Sequence, residues 1–403
     1  MANIITNLFL LIGNLMLYVA SDVYSLAFAR ITQGLAIGGT FMSAIALCEC
    51  ISPKRRGYFM VFNKVSLGLG SLACHSLIFI LNWRLIAIFS AIMNLISICL
   101  NLMSAESPAF LAMRGQFDKC AENFVWYRGN SLNTKRELKE FISAQMENLR
   151  RKERSNSIST FKKAKEMLMT KEFQKSLFIL TLTSLCLDTC GRYYSLAYIT
   201  QILIELTNNM NLALYMSVAS DLVLVFALGI STLLVKHFER RTLLFKSGFC
   251  SVFLMFMISF SVILRNKFNV FEDINWLTPS IILLHTFVTN IGLVPITFVL
   301  SGEVFSLHHK GLGSILAGFI FLTLFNIIMK LTPIMIDKTG VEGTYSIYGL
   351  LLLIFLVLLG KILPETKDKT LQQIEDEMKG IETKEGTSKI ELIKYSEIIS
   401  CSN

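Results

Sequence analysis

Residues 351–371 read LLLIFLVLLGKILPETKDKTL, a long apolar run that stops at a proline and passes into charged residues. A helix needs about 20 mainly apolar residues to cross a bilayer. Because lipid offers no hydrogen-bond partners, each such run is expected to be helical. The sequence predicts ten runs of this kind, near residues 3–20, 25–50, 57–81, 84–104, 174–203, 211–235, 242–264, 277–303, 313–336 and 343–363. The chain is therefore predicted to be an all-α, multi-pass membrane protein.

The composition and the distribution of charge agree with this prediction. Of the 403 residues, 53% are hydrophobic and 17% are charged, and the net charge is +9. If Met1 is cytosolic, four of the 38 Lys and Arg residues fall in predicted outer loops: Arg84, Arg265, Lys267 and Lys338. Basic residues favour the cytoplasmic side and attract anionic lipid. We therefore expect cytoplasmic termini, a plasma-membrane location and lipid contact, and no nucleic-acid partner.

The apolar runs divide the chain into four segments. The predicted organisation is a partial N-terminal lobe of four transmembrane helices (1–104), a cytoplasmic helical linker (105–173), a C-terminal lobe of six transmembrane helices (174–363) and a cytoplasmic tail (364–403).

The sequence offers no motif for chemistry on a substrate. Its nine cysteines are scattered, which predicts no disulfide framework. Cys186 and Cys190 lie one turn apart without a suitably spaced histidine, so we interpret them as buried thiols. The chain contains no phosphate-binding loop, nucleophile triad or metal-ligand cluster. We expect neither an enzyme nor a bound metal or cofactor.

Ionisable residues inside predicted spans are candidates for function, because a charge in the bilayer is costly. They are Lys64, Asp188, Arg192, Asp221 and Lys330. One hypothesis is a cavity that recognises a charged or strongly polar solute. The other is a diverged site in which Asp188 and Arg192, spaced i and i+4, neutralise each other. Proton coupling is unsupported, because a carboxylate paired with arginine stays ionised.

Four strings carry a family resemblance: ECISPKRRG at 49–57, ESP at 106–108, WYRG at 126–129 and PETKDKTL at 364–371. Together they resemble the sugar porters of the major facilitator superfamily, and most of all the insect facilitated trehalose transporter group. The family has twelve helices in two six-helix lobes around a midplane site. The resemblance implies this fold, with an N-lobe that lacks the first two helices.

The implied function is transmembrane transport of a sugar or related polar solute, such as trehalose, a hexose or a polyol, by alternating access. The alternative is a truncated or diverged membrane protein that does not transport and has an interaction or sensor role. In the family, paired charges at the inner ends of helices hold the outward-open state. The corresponding residues here are Glu49, Arg56, Arg240, Arg241, Glu303 and Lys310. Arg30, near the outer end of its span, is a further candidate for a packing or gating charge, with a snorkelling side chain as the alternative. A static ion pair at the helix ends is the competing interpretation.

The implied substrate site departs from the family. Where the family has several amide side chains in the fifth span, residues 187–193 read LDTCGRY. Amides suit sugars because each offers both a donor and an acceptor, so their loss predicts poor hexose recognition. The candidate substrate-binding residues are Lys64, Asp188, Arg192, Tyr193, Tyr198, Asp221 and Phe298.

Overall fold

The helices are long and follow one another closely along the chain. The computed structural model describes residues 2–51, 53–131, 134–139, 141–143, 145–146, 168–268, 276–305 and 310–366, and no strand occurs in these ranges. In chain order the helices are α1 (Ala2–Val19), α2 (Val23–Cys50), α3 (Pro53–Leu77), α4 (Trp83–Met103), α5 (Pro108–Met113), α6 (Phe117–Arg128), α7 (Lys171–Thr189), α8 (Arg192–Thr207), α9 (Met210–His237), α10 (Arg240–Phe268), α11 (Leu277–Ile291), α12 (Leu293–Glu303) and α13 (Lys310–Ile362).

Five helices among the described residues are long and apolar enough to cross a membrane. They are Trp83–Met103, Met210–His237, Arg240–Asn266, Leu277–Gly302 and Leu312–Ile362. The last of these has 51 residues and is kinked at Gly340, where φ is 72°. Since one crossing takes about 20 residues, this element is long enough for two. The all-α membrane architecture is confirmed, and the total of ten spans stays a prediction.

Two of the predicted spans are interrupted. The run at 174–203 was expected to form one helix, but α7 ends at Thr189 and α8 begins at Arg192. Gly191 lies between them with φ of +87°, a left-handed conformation that a helix cannot contain. The run at 277–303 is divided into α11 and α12 at Gly292. Apolar periodicity does not reveal such breaks, because the residues on either side remain apolar.

The chain packs into two compact units, Met1–Ser159 with Leu203–Leu233, and Thr160–Ile202 with Leu234–Asn403. In the first unit, α1 packs against α2 and α4. A Cβ on Gly13 would lie 2.6 Å from the Gln33 side chain, so only glycine permits this approach. Gln33 then donates a hydrogen bond to Asn14 at 2.8 Å. Small residues at helix contacts allow this packing in a membrane.

Arg128 joins the end of α6 to the end of α2. Its Nε donates to the Cys50 carbonyl at 3.2 Å and its Nη2 donates to the Ile51 carbonyl at 3.1 Å. Its Nη1 lies 3.1 Å from Glu137. A cation at a helix C-terminus satisfies the last carbonyls and interacts favourably with the helix dipole. The linker is therefore anchored to the end of the second helix.

Tyr127, the neighbour of Arg128, forms a second anchor of the same segment. Its hydroxyl donates to the Ala105 carbonyl at 2.5 Å. Burial, with a smaller contribution from Cys50, raises the pKa of Tyr127 to about 12. The protonated phenol is thus the form that the folded linker holds.

In the second unit, α13 packs against both α7 and α10. A Cβ on Gly248 of α10 would lie 2.9 Å from Leu356 of α13, so these helices approach closely. The face of α13 that meets them is apolar and fully buried, with Leu352, Leu356 and Leu359 each 0% exposed. This packing fixes α7, and with it the break at Gly191, against α13.

Candidate functional site

The break between α7 and α8 gathers polar groups in the interior of the second unit. Gly191 permits the turn, and a Cβ there would lie 3.2 Å from the Tyr194 hydroxyl. Asp188 lies on the last turn of α7, and Arg192 begins α8. In transporters, irregular backbone at membrane depth is tolerated where it lines a cavity or binding site. The break is therefore the candidate substrate site.

Asp188 is the most unusual group at the break. Its side chain is 1% exposed, and neither carboxylate oxygen has a hydrogen-bond partner among the described residues. The predicted ion pair with Arg192 is wrong. An i, i+4 pair requires continuous helix, and α7 ends at Thr189 before the position of Arg192 is reached. A buried carboxylate without a partner carries a large free-energy cost, which a ligand can offset.

Aromatic rings from α13 surround the start of α8. Tyr193 packs edge-on against Phe325, with ring centroids 4.9 Å apart, and against Phe321 at 6.0 Å. Tyr194 packs against Tyr348 at 4.9 Å. Large aromatic surfaces with a few polar groups are typical of small-molecule sites.

The hydroxyl groups of this aromatic cluster are only partly satisfied. Tyr348 bonds Thr332 at 2.9 Å, and Tyr345 lies 3.5 Å from the Ser195 hydroxyl. The hydroxyl of Tyr194 is buried and has no partner among the described residues. The break thus presents at least one carboxylate and one phenol that can still form hydrogen bonds.

Five of the predicted substrate-binding residues lie in this unit. Three flank the break: Asp188, Arg192 and Tyr193. Tyr198 lies further along α8 and donates to the Met329 carbonyl of α13 at 3.2 Å. Phe298 is partly buried on α12.

The other two predicted residues belong to the first unit. Lys64 is partly buried on α3. Asp221 is buried on α9, where it accepts hydrogen bonds from Ser71 and His75 of α3. Asp221 therefore belongs to a cluster that is distinct from the helix break.

Arg240 and Arg241, which are predicted gating residues, begin α10. Their backbone N–H groups donate to the two carboxylate oxygens of Glu365 at 3.1 and 3.0 Å. Their guanidinium groups donate to the carbonyls of Val235 at 2.6 Å and Gly360 at 2.7 Å. An anion at a helix N-terminus is stabilised by the free N–H groups and the helix dipole. Glu365 therefore ties the segment after α13 to the start of α10.

The remaining gating predictions stay predictions. Arg30 is exposed on α2 and donates to Gln33 at 3.1 Å. Four other residues lie on helices, but their side chains lie outside the described part of the chain: Glu49, Arg56, Glu303 and Lys310.

Sequence reasoning missed His75, Glu365 and Tyr194 as site residues. His75 could have been found by counting histidine among the ionisable residues of the spans. Glu365 was noticed only as part of the PETKDKTL string. Tyr194 carried no signal, since a tyrosine in an apolar run reads as a packing residue. Among the described residues, no group of three or more His, Cys, Asp or Glu side chains could hold a metal ion.

Known proteins similar to this chain are transporters. Residues 1–378 match the family described as "Sugar (and other) transporter". The facilitated trehalose transporter Tret1 of Drosophila pseudoobscura pseudoobscura is 22% identical over 376 residues, which are 92% of this chain and 42% of that protein. Tret1 of Aedes aegypti is 23% identical, with 92% and 45% covered. The chain thus spans less than half the length of these two relatives.

Solved structures with the same fold are also transporters. The proton:xylose symporter XylE bound to 6-bromo-6-deoxy-D-glucose has a TM-score of 0.74 and 16% identity, over 94% of this chain and 82% of that one. The partially occluded, inward-open XylE from E. coli has a TM-score of 0.70 and 16% identity, over 91% and 81%. The fold is that of the major facilitator superfamily, as the resemblance implied. The chain belongs to the sugar (and other) transporter family of multi-pass membrane proteins.

Proposed function

We propose that this protein carries a sugar or a related polyhydroxy solute across a membrane by alternating access. The observation that supports this most directly is the buried carboxyl group of Asp188 at a helix break, which has no hydrogen-bond partner in the part of the chain that the structure describes. Neighbouring phenols and aromatic rings surround the same break. Such a group is expected to be satisfied in at least one state of the transport cycle.

A polyhydroxy solute fits the chemistry of the break. The oxygens of a carboxyl group accept hydrogen bonds in either protonation state, and a hydroxyl of the solute can donate to them. Hydrogen bonds to a charged acceptor are stronger than neutral ones. The Tyr194 hydroxyl can donate or accept, and the partly exposed ring of Tyr193 offers apolar surface to the carbon skeleton. No group in this arrangement needs to break a bond, so the proposed activity is translocation without catalysis.

The specificity is proposed to differ from that of ordinary hexose carriers. The resemblance puts amide side chains near this position in the family, and Asp188 with Arg192 stands there instead. A carboxylate cannot donate to a hydroxyl oxygen when ionised. We therefore expect weak glucose uptake and better uptake of a solute that has more donors facing Asp188, with trehalose, pentoses and polyols as the first compounds to test.

We further propose that the protein lies in the plasma membrane with both termini in the cytoplasm. The support for this orientation is the small number of Lys and Arg residues in the predicted outer loops, and the plasma membrane is proposed by the resemblance alone. A tag on Asn403 should be reached by antibody only after permeabilisation. Staining of intact cells would contradict this orientation.

The transport proposal is tested by reconstitution. The full protein is placed in liposomes, and the entry of labelled trehalose, hexoses, pentoses and polyols is measured. We expect saturable, stereoselective entry that falls at least tenfold in Asp188→Asn and falls less in Tyr194→Phe. Asp22→Asn, an exposed carboxylate at the start of α2, is the matched control and should transport normally. A folded protein that gives no flux above empty liposomes would favour the non-transporting interaction or sensor role.

A further inference from the structure

A second cluster of buried polar groups lies in the first unit, where α3 meets α9. His75 Nδ1 lies 2.5 Å from Asp221 Oδ2, and the Ser71 hydroxyl donates to Asp221 Oδ1 at 3.2 Å. The Asp221 side chain is 2% exposed and the His75 side chain is 20% exposed. Both carboxylate oxygens are thus engaged, each by a different residue of α3. The break at Gly191 and its substrate-site proposal do not use this cluster.

The contact between α3 and α9 is close on both sides of the cluster. A Cβ on Gly68 would lie 2.7 Å from a terminal methyl of Leu224, so the two helices approach closely at this point. Near the end of α3, the ring of Phe79 stacks on Tyr215 at 5.4 Å. Ser71, His75 and Asp221 lie between these two apolar contacts and form the polar centre of the seam.

The titratable groups that face Asp221 are few among the described residues. His75 forms an ion pair with Asp221, and the Cys74 thiol on α3 is close enough to interact with the Asp221 charge. On α9, Tyr215 is the titratable residue on the same seam, and its ring is stacked on Phe79. The charge of the cluster therefore depends on the proton that His75 and Asp221 share.

One proton decides whether this cluster is neutral or charged. With the proton bound, an imidazolium pairs with a carboxylate and the net charge is zero. Without it, a carboxylate with charge −1 remains in a buried seam, which is costly in a low-dielectric environment. Because the partner is a histidine and not an arginine, the cation of this pair is one that can lose its proton.

We propose that Ser71, His75 and Asp221 form a proton-binding site that holds α3 against α9, and that the protein releases this proton when the two helices separate. The ligand is a proton, with His75 as its acceptor, Asp221 as the carboxylate that pairs with the imidazolium, and Ser71 as a positioning residue. The link to helix separation rests on the proposed transport function, whereas proton binding does not.

Proton binding is tested without substrate, by measuring the thermal unfolding midpoint of the purified full chain between about pH 5 and about pH 9. The sign follows from the charge: the stabilisation is present with the proton bound and is lost as the pH rises. If folding binds one proton more, the unfolding equilibrium constant changes about tenfold per pH unit within that window. We expect this step in the unmodified protein and its loss in His75→Asn, whose amide nitrogen lies near the position of Nδ1.

Two further variants separate this proposal from a general effect of removing a buried histidine. Asp221→Asn keeps an acceptor oxygen but removes the charge, so it should also abolish the step. The matched control is His285→Gln, because His285 is buried in the second unit and its hydrogen-bond partners among the described residues are hydroxyl groups, such as Ser251 at 2.9 Å. This control should lower the midpoint and keep the step. A pH profile of His75→Asn that parallels the unmodified protein would overturn the proposal.

The transport part is tested in liposomes with an imposed pH difference. The unmodified protein should accumulate solute above the external concentration when the outside is acidic, and His75→Asn should only equilibrate it. If flux is present and the pH difference has no effect in the unmodified protein, the release of the proton during transport is refuted while the transport proposal stands. If no flux is seen but the stability step is present, the transport proposal fails and the proton site stands.

Discussion

Replacing Glu365 is expected to loosen the start of α10. The carboxylate accepts hydrogen bonds from the backbone N–H groups of Arg240 and Arg241 at 3.1 and 3.0 Å. Loss of a helix cap costs about 0.5–2 kcal/mol, and loss of a charge at a helix N-terminus costs about 0.3–1 kcal/mol. Glu365 is partly exposed, so the sum is expected near the middle of these ranges, at about 2 kcal/mol for Glu365→Ala. Glu365→Gln retains an acceptor oxygen and should cost about 1 kcal/mol.

The assay is unfolding of the purified protein by heat or denaturant, with the loss of helix content as the measured signal. The matched control is Glu122→Gln, which removes an exposed carboxylate from the middle of α6 and should change stability by less than about 0.5 kcal/mol. If Glu365→Ala and Glu122→Gln have the same effect, the carboxylate does not cap α10. If Glu365→Gln costs as much as Glu365→Ala, the charge dominates and the hydrogen-bond account is wrong.

Three further changes test the linker and the helix break. Tyr127→Phe loses the hydrogen bond to Ala105 and should lower the free energy of unfolding by about 1 kcal/mol. Because burial raises the pKa of Tyr127 to about 12 in the folded protein, the stabilisation by this hydrogen bond is complete below about pH 10 and is lost between about pH 10 and about pH 12. Alkaline unfolding curves of both proteins measure this difference. Gly191→Ala places a residue with a side chain at a backbone φ of +87° near Tyr194, so it should lower the free energy of unfolding by about 1–2 kcal/mol and also reduce flux through the protein that remains folded. Unchanged flux would show that the break is not at the substrate site. Arg128→Lys cannot reach two carbonyls and a carboxylate with one ammonium, so it should cost about 1 kcal/mol, and a midpoint equal to the unmodified protein would show that the fork is unimportant.

The apolar runs predicted the helix bounds well where one run corresponds to one unbroken helix. The run at 25–50 corresponds to α2 (Val23–Cys50), and the run at 84–104 corresponds to α4 (Trp83–Met103). The breaks at Gly191 and Gly292 were not predicted, because hydrophobicity reports burial and does not report φ. The break at Gly191 is the feature that positions the candidate site.

The site itself was only partly accessible to sequence reasoning. Asp188 and Asp221 were found because a carboxylate in an apolar run is costly and therefore noticeable. The partners of Asp221 were not predicted. His75 is 146 residues from Asp221 in the chain, and no local pattern predicts that pairing. The expected partner of Asp188, Arg192, was wrong because helical spacing was assumed across a turn.

The two neighbouring tyrosines at the start of α8 have a mechanical consequence. Consecutive side chains on a helix point about 100° apart. Tyr193 meets Phe321 and Phe325 before the Gly340 kink of α13, whereas Tyr194 meets Tyr348 after it. A small rotation of α8 about its axis would therefore tighten one contact as it loosens the other. The two arms of α13 meet at the Gly340 kink, and both contact α8 through the two tyrosines. Movement of α8 would therefore couple the kink angle of α13 to binding of a solute at the break.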